Sequence, residues 1–183
     1  MKNRTKVSAV STTVLWLFVV NLGIALGAGL YESRIVVPDW IDTSADTPAW
    51  NADAARHDDT GLRFWVAVTT IPLTLLTLAN VFAGWRAPVR LRRWWLATAT
   101  TALVERAFTL GYFVPTMVRL MQTENSRNAA FSAIQWAQLN NLRHFLVLVA
   151  WLAALKTFSV LYTDRGKRAM VADDASSGHR LSC

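Results

Sequence analysis

Glu105 and Arg106 stand side by side near the middle of an otherwise apolar run, Trp94 to Val118. A charge at such a depth in lipid costs at least ~2.5 kcal/mol even on a lenient insertion scale. Both groups therefore need partners or water. Adjacent residues on a helix point about 100° apart and do not face each other, which directs Glu105 toward a group on another helix. Lys156, at similar depth in the run from Leu142 to Tyr162, is the candidate buried partner. Such a pair either fixes helix register or belongs to a functional site.

A second constellation gathers one or two helical turns from a common depth: Glu32 and Arg34 after the first apolar run, Tyr112 in the third, and Asn140, Arg143 and His144 opening the fourth. His144 is the best acid or base candidate, because an imidazole titrates near neutrality; the alternative is an interfacial hydrogen-bonding residue. With His57, Glu32 and Asp39 it can offer metal ligands, but no HxxxH or ExxH spacing exists and no metal is expected. GxGxxG, P-loop, GxSxG and HExxH patterns are absent, so no motif assigns an enzyme class or implies a cofactor.

The elements that must position these residues follow from the apolar blocks. Of the 183 residues 53% are hydrophobic and 17% charged. Segments 8–31, 62–85, 94–118 and 142–162 each reach the roughly 20 apolar residues that cross a hydrocarbon core. They predict an all-α integral membrane protein, multi-pass in the cell membrane, with residues 1–165 forming one four-helix transmembrane bundle. The polar segment 166–183 is expected to be a disordered cytoplasmic tail.

The net charge of +7 raises the question of nucleic acid, and the placement of the basic residues answers it. Lys2, Arg4 and Lys6 precede the first span, Arg86, Arg90, Arg92 and Arg93 separate the second from the third, and Arg165, Lys167 and Arg168 follow the fourth. All three clusters fall on one side, while the segment between Tyr31 and Gly61 sets two basic residues against seven acids. By the positive-inside rule both termini are cytoplasmic and this long first loop is extracellular. The expected partner is the lipid bilayer, and no nucleic acid is expected. The start also fits a signal peptide, although its apolar stretch is longer than a usual signal core. Cys183, the only cysteine, cannot form an internal disulfide and lacks a prenylation pattern.

Polar and small residues share helix faces. Thr98, Thr101, Glu105, Tyr112 and Thr116 form one stripe on the third span, with Thr109 beside it. Thr70, Thr74, Thr77, Asn80 and Gly84 repeat the pattern on the second, and Gly23 with Gly27 offers a small-xxx-small contact on the first. These faces predict a bundle with a polar interior. Trp40 and Trp50 in the first loop suggest a cap at the outer interface, where tryptophan is favoured.

Gly27-Ala28-Gly29-Leu30-Tyr31-Glu32, followed by Val36-Val37-Pro38-Asp39-Trp40, resembles the end of the first helix in the anthrone oxygenase-like membrane proteins, a family largely known as a domain of unknown function. Phe113-Val114-Pro115-Thr116-Met117-Val118-Arg119-Leu120 and Trp136-Ala137-Gln138-Leu139-Asn140-Asn141-Leu142-Arg143-His144 extend the resemblance over most of the chain. It implies a four-helix membrane fold and, as in the characterised branch, oxidation of an anthrone to an anthraquinone by dioxygen without metal or flavin. The chain departs from the family pattern in its long acidic first loop and in Arg106 and Lys156 within spans.

Cofactor-independent oxygenation suits an acidic, lipophilic phenolic substrate, because a base removes a carbon-bound proton and the electron-rich enolate reacts directly with oxygen. For that chemistry His144 or Glu105 is the base, Arg143 stabilises the oxyanion, Tyr112, Asn140 and Glu32 contact the substrate, and Trp136 and Trp151 flank a flat ring. The competing expectation is a non-catalytic accessory subunit or a small-molecule or proton permeation protein. A four-span monomer has little room for a pathway, so permeation favours a homo-oligomer.

Overall fold

Long apolar runs form helices, and in the computed structural model, which describes residues 7–43, 47–58 and 61–180, four helical rods make up most of the chain. Lys2, Arg4, Lys6 and Cys183 lie outside the described residues. The first rod joins α1 (Ala9–Tyr31), a π-helical turn (Glu32–Val36) and α2 (Val37–Trp40). Ser8 caps it by accepting the Ser11 N–H at 3.0 Å. The second joins a π-helical segment (Gly61–Thr70) to α4 (Ile71–Arg86), the third runs through α5 (Val89–Phe108), a π-helical turn (Thr109–Phe113) and α6 (Val114–Gln122), and the fourth is α7 (Arg127–Arg180).

Between the first two rods lie β1 (Ile41–Asp42), β2 (Ala49–Trp50) and α3 (Ala52–Asp58). The strands pair antiparallel, Ile41 opposite Trp50. This segment caps one end of the bundle: Trp50 Nε1 donates to Leu120 O at 3.2 Å and the Ala52 N–H to Asn125 Oδ1 at 3.0 Å. Trp40 and Trp50 do not sit at an outer surface. Both are buried, with Phe113, Leu120 and Trp136, in an apolar core beneath the cap.

The four rods close into a ring in which the first and third each pack against the second and fourth. At the opposite end Pro88 forces Ala87 into an extended conformation, which stops α4 and starts α5. Trp95 Nε1 donates to Asn80 Oδ1 at 2.9 Å across this tight turn, so the two helices run antiparallel. Small residues permit the close approaches, though not at both of the expected positions. A Cβ on Gly23 would lie 3.3 Å from Trp151 Nε1, whereas nothing lies within 4 Å of one on Gly27.

Three rods are long and apolar enough to cross a membrane: Ala9–Trp40, Arg63–Arg86 and Arg127–Thr163. The third rod has the length, but Glu105, Arg106 and its threonines lower its hydropathy. α7 runs on through most of the polar segment 166–183, to Arg180. No proline interrupts residues 163–180, and Lys167, Arg168, Ala169 and Met170 are good helix formers.

Each π-helical segment is followed closely by a proline, at Pro38, Pro72 and Pro115. Proline has no N–H for the regular ladder and its ring crowds the carbonyl four residues back; widening the preceding turn relieves both. The Val37 N–H accordingly reaches Glu32 O, and the Val114 N–H reaches Thr109 O, five residues back in each case. Pro72 also leaves Val68 O without its helical donor, and Asn21 Nδ2 on α1 replaces it at 2.9 Å. Asn21→Leu is expected to lower stability by about 1 kcal/mol. In a Pro72→Ala background, which restores the N–H, the same substitution should cost distinctly less. Thermal unfolding of the four proteins in detergent checks this, and equal losses in both backgrounds would dismiss the replacement.

Candidate functional site

The three π-helical segments meet around one cavity of about 190 Å³ near the capped end. The first contributes Glu32, the second Trp65, Val66, Thr69 and Thr70, and the third Thr109 and Phe113. π-bulges recur at functional sites because they re-aim side chains within an intact helix, and here three do so together. Trp40, Trp136 and Met117 complete an apolar wall, while Arg106 and Arg143 bring guanidinium groups to it. Glu32 and Arg143 of the outer cluster and Arg106 of the midplane cluster thus share one cavity.

The third rod shows how the π-turn acts. Among its buried positions, Thr98, Ala102, Glu105, Thr109, Phe113, Thr116 and Leu120 follow one another along one stripe. Regular spacing would next turn Tyr112 inward; the extra residue in the wide turn advances Phe113 instead. Tyr112 is half-buried, edge-on to Phe113 with centroids 5.2 Å apart, and does not line the cavity.

Glu105 does not pair with Lys156, which is exposed on α7. Its partner is its own neighbour: Arg106 Nε donates to Oε2 and Nη2 to Oε1, both at 2.6 Å, and Thr109 Oγ1 donates to Oε1 at 2.8 Å. The long arginine stem folds back far enough to overcome the 100° between adjacent positions, forming the bidentate contact that a planar guanidinium favours. Glu105 is 1% exposed and Arg106 5%, so the pair is desolvated yet nearly neutral. One part is left over. Arg106 Nη1 is buried and has no hydrogen-bond partner.

Arg143 stands over two rings, its guanidinium carbon 5.4 Å from the Trp65 centroid and 5.1 Å from that of Phe113, both distances favourable for cation–π attraction. Glu32 is buried and accepts a hydrogen bond from Trp65 Nε1 at 2.7 Å. Trp136 Nε1 donates to Phe113 O at 3.2 Å, which fixes its ring in the wall.

Asn140 faces a different space, a more polar cavity of about 330 Å³ that Ser33, Arg34 and Gln138 also line. Asn140 Nδ2 lies 3.4 Å from Ser33 Oγ, which is 3.4 Å from His144 Nδ1. His144 lines neither cavity. Its ring is buried with Nε2 unpartnered, seated where α1 offers Gly29. Trp151 packs on Gly23, away from both cavities. The structure therefore gathers Glu32, Arg106, Arg143 and Trp136 in one cavity, with Glu105 behind the wall. Asn140 lies in the other cavity, His144 beneath Ser33, and Tyr112, Trp151 and Lys156 stand apart.

Trp65, Thr69, Phe113 and Met117 are among the lining residues that helical spacing missed, and the prolines just beyond the π-turns were the available signal. Among the described residues no three His, Cys, Asp or Glu side chains converge as a metal set. Comparison of the chain with family models, curated proteins and solved structures finds no match.

Proposed function

We propose that this chain crosses the bilayer four times, with its termini and the Ala87–Pro88 turn in the cytoplasm and the cap outside. In this reading it binds a small lipophilic aromatic or polyketide-type molecule in the three-rod cavity and oxidises it with dioxygen. Support for the fourth crossing comes from the Glu105–Arg106 pair, whose mutual neutralisation removes most of the cost of placing the third rod in lipid. The basic residues at the turn, Arg86, Arg90, Arg92 and Arg93, support the orientation.

One observation carries the chemical reading: a carboxylate and two guanidinium groups, Glu32, Arg106 and Arg143, share a cavity otherwise walled by aromatic and apolar side chains. Of Glu32, Glu105 and His144, it is Glu32 that lines this cavity. Glu105 is occupied by Arg106 and Thr109, and His144 is set back under Ser33. Glu32 takes a proton from the methylene carbon conjugated with the substrate carbonyl through the aromatic ring, and the charge moves onto the oxygen, where Arg143 or Arg106 stabilises it. The carbanion then gives electrons to dioxygen. For an anthrone the methylene loses both hydrogens, one oxygen atom becomes the new carbonyl and the other leaves as water. The resemblance to anthrone oxygenase-like proteins supplies the reaction class; the cavity supplies the groups it needs.

Oxygen uptake and anthraquinone formation by the purified protein given anthrone form the test. Glu32→Gln should lower turnover about 10²-fold, while Lys156→Ala, on an exposed face, should leave it unchanged. Unaltered turnover in Glu32→Gln removes that residue as the base, and no uptake by the parent protein removes the oxygenase.

A further inference from the structure

The 190 Å³ cavity is only partly enclosed. The Gly61–Thr70 segment packs toward α1 and has no extensive backbone packing against Thr109–Phe113 or α6, although α4 and α5 pack closely nearer the turn. The second and third rods therefore splay apart toward the capped end. The lining residues at this gap, Val66, Val114 and Val118, are apolar and 37%, 40% and 50% exposed. In a bundle surrounded by lipid, such a gap opens onto acyl chains and not onto water.

Arg106 lines the same cavity, and its Nη1, a charged-group donor, is buried without a partner. A buried donor left unsatisfied costs about 1–3 kcal/mol, a cost that a ligand acceptor removes. Charge around the cavity is already balanced, Glu32 and Glu105 against Arg106 and Arg143, so a neutral carbonyl or phenol suits it better than a carboxylate. Size adds a limit: a cavity of about 150 Å³ takes one benzene ring, and 190 Å³ takes one substituted ring or a compact two-ring system.

Building on the reading of this cavity as the site of an aromatic ligand, we infer that it takes a neutral one- or two-ring molecule with a single oxygen acceptor. That molecule enters sideways from the bilayer between Val66 and Val118 and sets its oxygen on Arg106 Nη1. Any further ring or chain extends back through the gap into lipid. Arg106 is thereby the specificity-determining residue, and the lipid phase concentrates the ligand before it binds.

The test measures binding, so it is independent of oxygen uptake. The full chain in lipid nanodiscs is titrated by calorimetry with 1-tetralone, with tetralin, which has the same skeleton without the oxygen, and with 1-naphthoate. Tetralone should bind roughly tenfold or more tighter than tetralin, and naphthoate more weakly than tetralone. Arg106→Met alone leaves Glu105 unpaired, so the variant used is Glu105→Leu with Arg106→Met, which should lose the preference for tetralone. Val118→Phe, a change at an exposed site, should slow association of tetralone about tenfold in stopped-flow tryptophan fluorescence. Gln138→Phe, at the polar cavity, should not. Equal affinity for tetralone and tetralin, a preference that survives the double substitution, or no binding of either overturns the hydrogen bond to Arg106. Slowing by Gln138→Phe in place of Val118→Phe overturns the lateral route. Anthrone turnover that persists beside any of these results leaves the oxygenase reading standing without the inference.

Discussion

Arg106→Met is expected to destabilise the bundle by about 3–5 kcal/mol, because breaking a buried ion pair from one side leaves the other charge in a dry interior. The remaining partner, Glu105, is 1% exposed and would keep only the Thr109 hydroxyl. Glu105→Leu alone leaves a buried guanidinium and should cost a similar amount. Removing both charges together should restore most of the loss, since apolar groups of similar volume often replace buried pairs at little net cost. Lys156→Met should change stability by no more than about 0.5 kcal/mol, as an exposed residue that makes none of these contacts. Unfolding of the four proteins in mixed micelles provides the double-mutant cycle. Additive losses for Glu105 and Arg106 would contradict the direct pair, and coupling of Glu105 to Lys156 in a second cycle would move the contact to α7.

That pair marks the boundary of what was legible in the residues. Long apolar runs disclosed helices, and the charges within them disclosed that the bundle had a polar interior. Glu32 and Arg143 could be grouped because each lies near the end of an apolar run. The partner of Glu105 was hidden because helical spacing describes where Cβ atoms point and says little of where a long arginine side chain ends. Tyr112 and Phe113 exchanged roles for a different reason: the 3.6-residue period was carried through Thr109–Phe113, where the turn is wider. Pro38, Pro72 and Pro115, each just beyond such a turn, mark where that period should have been interrupted. Tryptophan misled in the opposite direction. Trp40 and Trp50 suit a membrane interface by composition, but the cap and α6 bury them, a long-range arrangement with no local signature. His144 Nδ1 lies 3.4 Å from Ser33 Oγ, the residue after Glu32. Its burial depends on a single glycine on another rod.

Gly29→Ala is expected to destabilise the protein, and to stabilise it once His144 is Ala. A Cβ at Gly29 would lie 2.8 Å from His144 Cδ2 and closer still to Nε2. The imidazole is buried beside Ser33 and cannot move without disturbing that contact. Overpacking of this kind costs typically about 1–3 kcal/mol, while replacing a helical glycine by alanine gains about 1 kcal/mol in propensity. The clash outweighs the propensity, so Gly29→Ala should give a net loss. In the His144→Ala background the clash is gone, only the propensity remains, and the same substitution should gain about 1 kcal/mol. Gly27 is the internal control: it lies in the same helix, and a Cβ there would meet nothing within 4 Å, so Gly27→Ala should stabilise in both backgrounds. A Gly29→Ala effect of the same sign with and without His144 would show that the glycine serves some purpose other than seating the ring. A reversal would fix His144 between α1 and α7, behind Ser33.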